Sequence, residues 1–161
     1  MNNIIKSKFT FWAIILPIFL IAITILIVTL FNEIVYLKKG NNGLWFVELL
    51  LTFTWSWLLF GELRTKAIGV KIQNGIITKT NIFGSTSYRF DNFDGFAISQ
   101  VWSKAGNHEY LYLVKDNEKI IKISEFYHRN YLELKKTIIV DSVDLGEIHY
   151  NIIDDVKEIF K

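Results

Sequence analysis

The segment LLFGELRTKAIGVKIQNGIITKT, residues 58–80, changes its hydrophobic period partway along, and that change decides the fold. Up to Phe60 it closes an apolar run with no alternation. From Ala67 onward, Ile68, Val70 and Ile72 alternate with smaller or polar residues, the two-residue repeat of a half-buried strand. Asn74-Gly75 then marks a tight hairpin turn. Chain before Gly61 reads as membrane helix, and chain after Arg64 as a water-soluble domain with its own interior.

Working upstream, the largely apolar run LWFVELLLTFTWSWLLF (residues 44–60) carries no charge except Glu48, and Trp45, Trp55 and Trp57 suit the interfacial belts of a bilayer. Before it, FTFWAIILPIFLIAITILIVTLF (residues 9–31) runs 23 residues without a charge. At 1.5 Å per helical residue this crosses the ~30 Å hydrocarbon core with some tilt. Thr10, Thr24 and Thr29 can bond back to helix carbonyls, and Pro17 is expected to kink the helix. No small-x-small cleavage site follows, so the run reads as a retained anchor rather than a secretory signal. Gly40-Asn41-Asn42-Gly43 supplies a turn between the runs, and residues 1–63 are expected to form a helical hairpin with spans at about 9–31 and 44–61.

Charge placement sets the expected orientation. Lys6 and Lys8 before the first span join Arg64, Lys66 and Lys71 after the second on one side, against Lys38 and Lys39 in the turn. The N-terminus and the C-terminal domain are therefore expected on the cytoplasmic side. Residues 62–161 carry 14 basic and 14 acidic side chains, so this half lacks the positive field of a nucleic-acid binder.

Working downstream, turn-like pairs recur at Gly84-Ser85, Asp94-Gly95, Gly106-Asn107 and Asp116-Asn117. Their spacing of about ten residues predicts an antiparallel meander. The predicted strands are 67–72, 76–82, 86–91, 96–102, 110–115 and 119–124, forming a strongly bent sheet or small barrel. Tyr127, Tyr131, Leu134 and Ile138 then fall on one helical stripe, with Ser124 as its expected cap. Ile148, Ile152, Ile153, Val156 and Phe160 form a second stripe after Gly146.

The run KAIGVKIQNGIITKTNIFGSTSYRFDNFDGF (residues 66–96), followed by YLYLVKDNEKIIKISEFYHRNYLELKKTI (residues 110–138), resembles the bacterial pleckstrin-homology-like (PH-like) domains of small membrane proteins. The features that carry the likeness are Asn74-Gly75, the Phe83-Gly84 turn, the Asp91 to Phe96 entry to the next strand, and the strand-to-helix stretch Ile121 to Ile138. The resemblance implies an α+β chain. A two-helix hairpin in a bacterial plasma membrane would be followed, over residues 64–161, by a PH-like sheet or barrel with C-terminal amphipathic helices. Phosphoinositide-binding members of the wider fold hold phosphates with several basic residues at the first hairpin. Only Lys71 and Lys79 stand there, so a phosphoinositide headgroup is not expected.

The chemistry of the remaining residues is sparse. The sequence has no cysteine, and His108, His128 and His149 are 20 and 21 residues apart, so no metal or cofactor is expected. Ser124, Glu125 and His128 are close in sequence, but nothing suggests a strained nucleophile elbow. Glu48 is a candidate intramembrane polar site; its plainer reading is an interfacial carboxylate or a bond to the neighbouring helix. Trp102, Lys104 and His108 form a candidate partner surface, although Trp102 could also finish a strand against the core or dip into the membrane surface. The expected function is a non-enzymatic, membrane-anchored interaction or scaffolding module with a protein partner. The alternatives are an accessory subunit of a transport or proton-handling complex using Glu48, and a membrane immunity or stress-response protein.

Overall fold

The computed structural model describes residues 4–36, 42–103, 106–149 and 151. The chain is α+β. After a short strand β1 (Ile5–Lys6), helix α1 (Phe11–Tyr36) and helix α2 (Asn42–Ser56) fold back on each other, and Trp55 Nε1 donates to Thr24 Oγ1 at 2.9 Å. Two helical stretches, Phe11–Val35 and Gly43–Leu63, are long and apolar enough to cross a membrane. Only 17% and 6% of their most apolar windows are buried, so these are not core helices of a soluble protein. Apolar side chains such as Phe19, Ile25, Leu49 and Phe53 face outward, where only lipid or another apolar surface could cover them. As expected, Thr24 and Thr29 satisfy their hydroxyls on the carbonyls of Leu20 and Ile25. Thr10 lies before the helix, and its hydroxyl donates instead to Phe126 O.

The second helix does not stop at Ser56. It continues as a π-helical stretch, Trp57–Leu63, closed by Arg64 N donating to Leu59 O and Ala67 N to Glu62 O, both five residues back.

Strands β2 (Gly69–Gln73), β3 (Ile76–Asn81) and β4 (Gly84–Arg89) follow, then β5 (Gly95–Ser103), β6 (Gly106–Lys115) and β7 (Glu118–Ser124). All six predicted strands are present. Asn74-Gly75 and Asp116-Asn117 turn tightly with positive φ at both residues, the conformation a two-residue hairpin requires. The β3–β4 turn falls at Ile82-Phe83, two residues before the expected Gly84-Ser85, with Asn81 Oδ1 accepting from Phe83 N.

Two strands went unforeseen. β1 pairs with β2, so the first sheet runs β1-β2-β3-β4 and includes residues that precede the two apolar helices. After helix α3 (Tyr131–Asp141), β8 (Asp144–Glu147) joins β5 in parallel, so the second sheet runs β7-β6-β5-β8. Among the described residues the two sheets do not close into a barrel. Their inner faces pack together with α3 over one core, which includes Ile68, Ile77, Leu111, Leu113, Ile121, Ile123, Leu134 and Ile138.

Two helix expectations are corrected. Ser124 ends a strand paired with Tyr110 and does not cap a helix. Residues 125–130 bend instead, because they hold the N-terminal segment, and α3 starts at Tyr131. Tyr131, Leu134 and Ile138 keep the expected inward stripe, while Tyr127 is buried in the bend. After Gly146, the described residues form no helix: Gly146 lies within β8, and Ile148 packs against a second apolar cluster of Ala97, Tyr110, Tyr112 and Val114. Ile152, Ile153, Val156 and Phe160 lie outside the described residues.

Candidate functional site

The place where the apolar hairpin enters the domain is built from three short segments. Residues 5–10 run between β2 and the 125–130 bend. Ser7 N donates to Val70 O at 2.7 Å, and Val70 N returns a bond to Ser7 Oγ at 2.8 Å. Asn130 reads the same segment from the other side, with Oδ1 accepting from Lys8 N and Nδ2 donating to Lys6 O. Thr10 N donates to Tyr127 O, and Phe9 bridges His128. Both ends of the hairpin are thus tied into one domain.

The exit of the second helix is tied in by charge. Glu62 accepts from Lys66 Nζ at 2.8 Å and from the Tyr127 hydroxyl at 2.9 Å. Burial, reinforced by the Glu62 carboxylate, pushes the Tyr127 phenol well above its ordinary range. In a second network, Glu109 accepts from Tyr131 and, at 2.6 Å, from Lys135, which fixes α3 to β6. Burial and that carboxylate likewise raise the Tyr131 phenol. Neither network has a signature in the sequence, because its members lie 65 and 22 residues apart.

The sequence candidates fall at different points. Trp102 stands near the end of β5 and is 79% exposed, so the reading that places it against the core is wrong. His108 lies opposite the neighbouring Val101, and its ring meets the edge of Phe126 at 5.0 Å. Phe126 in turn stacks on Trp12 in the first turn of α1 at 5.8 Å. A chain of ring contacts therefore connects the β5–β6 end to the entrance of the hairpin. Lys104 lies outside the described residues. Glu48 is 8% exposed, and its Oε2 has no hydrogen-bond partner among the described residues. It is buried within the hairpin and does not snorkel to water.

The Ser124, Glu125 and His128 grouping does not assemble as a nucleophile and base. His128 is fully buried, with Nδ1 against Ser124 O and Nε2 against Ile68 O, both at 2.8 Å. Burial lowers its basicity, and the two carbonyls oppose that shift. Among the described residues no three metal-binding side chains converge. No family model, curated protein or solved structure compared with the chain matches it.

Proposed function

We propose that this protein is a membrane-anchored interaction module. A two-helix hairpin crosses the bacterial plasma membrane and holds a PH-like domain on the cytoplasmic side, where it binds a protein partner and performs no catalysis. The observation that carries this reading is the double attachment of the hairpin: β1 and the Asn130 clamp hold its entrance, while the Glu62–Tyr127 bond holds its exit. Such an anchor fixes how the domain faces the membrane as well as where it resides, which is what a docking platform requires. Trp102, exposed on the β5–β6 end, is the contact residue. Large exposed aromatic side chains supply much of the binding energy of protein interfaces.

A photo-reactive amino acid at position 102, activated in native membranes, tests this. A discrete protein adduct that persists in Glu48→Gln is the expected result. Adducts to lipid alone would place Trp102 in the membrane surface and remove the partner surface. Loss of the protein adduct in Glu48→Gln would favour the transport-accessory reading, which draws its support from the buried Glu48 Oε2, without a hydrogen-bond partner among the described residues.

A further inference from the structure

Beside the exit of the second apolar helix lie two adjoining cavities of ≈ 340 and ≈ 320 Å³, which share Arg64, Lys79, Asn81 and Tyr88. The larger is also lined by Lys119 and Lys122 of β7, and among the described residues its one acidic lining residue is Glu118. Among the described residues, four cationic side chains from three separate parts of the chain thus surround one opening with a single carboxylate. Lys79 Nζ reaches across to Ile120 O at 3.2 Å, which brings the first sheet to β7. Lys119 and Lys122 lie over the Tyr112 and Tyr110 rings, each at 4.9 Å.

Position adds a second argument. The Arg64 guanidinium lies 5.6 Å from the Phe83 ring, and Phe83 stacks on Phe60 at 6.2 Å with the rings nearly parallel. Phe83 is 63% exposed and Ile82 half exposed, so the β3–β4 turn presents an apolar tip beside the end of an apolar helix. If the hairpin spans a bilayer, as proposed above, that tip enters the interface and the basic cavity opens at headgroup level.

We infer that this cavity binds a phosphate-bearing anion, and that its place at the membrane surface selects the headgroup of an anionic phospholipid. Clustered guanidinium and ammonium groups beside aromatic walls favour a phosphate over a zwitterionic headgroup, because the choline of the latter adds a repelled cation. The site differs from the first-hairpin lysine pair. Val70 pairs with Lys79 and Lys71 with Thr78, which puts the two lysines on opposite faces of the sheet.

The test uses the full chain in neutral detergent micelles, titrated separately with dihexanoyl phosphatidylglycerol, dihexanoyl phosphatidylcholine and glycerol 3-phosphate. Saturable phosphatidylglycerol binding, about tenfold or more tighter than phosphatidylcholine, is expected. Lys79→Gln with Lys119→Gln should weaken it about tenfold, while Lys136→Gln on the exposed face of α3 should leave it unchanged. Glycerol 3-phosphate binding as tightly as phosphatidylglycerol would sustain the phosphate site and overturn the lipid source. Equal affinity for the two lipids without glycerol 3-phosphate binding, or an unaffected double variant, would overturn the site. The lipid comparison needs only the unaltered chain, so it stands even if the double variant fails to fold. Because binding in micelles does not require a crossed bilayer, failure here is separate from failure of the membrane reading.

Discussion

Tyr127 and Tyr131 are buried phenols whose neutral forms belong to the folded chain, and with buried His128, whose ring lies between two carbonyl oxygens, they bound its pH range. His128 has a folded value below the ordinary 6.5, so the unfolded chain binds the proton more readily. Its stabilisation is therefore present above about pH 6.5 and is lost as pH falls toward the folded value. The two phenols are raised above 10.0, so stability falls as pH rises through about 10. Thermal unfolding of the detergent-solubilised chain should give a plateau between these limits. Tyr127→Phe should lose roughly 1–3 kcal/mol, the worth of a hydrogen bond to a charged group, and should shrink the alkaline loss. A melt unchanged by Tyr127→Phe would remove the Glu62 tie from the junction. Glu48→Gln, by contrast, keeps the shape of the side chain and supplies both a donor and an acceptor, so unfolding should shift little. These residues illustrate why the site was poorly legible. Glu48, Trp102 and His108 stand out as residue types, whereas Glu62, Arg64, Lys79 and Lys119 look like ordinary surface charges until the fold brings them together.

The strands were the most legible elements, because alternation and turn residues act locally. Asn74-Gly75 and Asp116-Asn117 permit positive φ and fix the β2–β3 and β6–β7 hairpins, while β4, with no hydrophobic alternation, follows from its place between turn residues. What escaped was non-local. β1 is two residues long and carries no pattern, and it exists because Ile5 and Lys6 find β2 across the whole hairpin. The bend at 125–130 overrides a helical stripe because Asn130, Tyr127 and His128 are used to hold residues 6–10. Asn130→Ala removes the bonds to Lys8 N and Lys6 O and should cost about 1–3 kcal/mol, with faster amide exchange in residues 5–10 as its local sign. Gly95 has a different duty. A Cβ there would lie 2.3 Å from Val143 O, so only glycine lets β8 approach β5. Gly95→Ala should displace β8, lowering stability by about 1–3 kcal/mol and exposing the amides of Phe96 and Ile148 to exchange. Retention of their protection would show that β8 docks without this close approach.

At the scale of the molecule, the division into an apolar hairpin and a curved two-sheet domain was legible from the change of period near Gly61. Knitting the two together was not. The sequence places the domain wholly after residue 63, yet Ile5 and Lys6 belong to its first sheet and residues 7–10 bond to β2 and the 125–130 bend, so the hairpin leaves and re-enters one folded body. A chain beginning at residue 64 should accordingly expose the free edge of β2 and leave Asn130 without Lys6 and Lys8, and it should be less stable than one supplied with residues 4–10 as a peptide. The most direct measurement exploits the absence of native cysteine. Single cysteines at Ile4, Asn41 and Lys136 would be challenged in intact cells with a membrane-impermeant maleimide. Labelling of Asn41→Cys alone, with Ile4→Cys and Lys136→Cys reacting only after permeabilisation, is the expected pattern. Labelling of Lys136→Cys in intact cells, or opposite behaviour of Ile4→Cys and Lys136→Cys, would contradict a hairpin with both ends bound to a cytoplasmic domain.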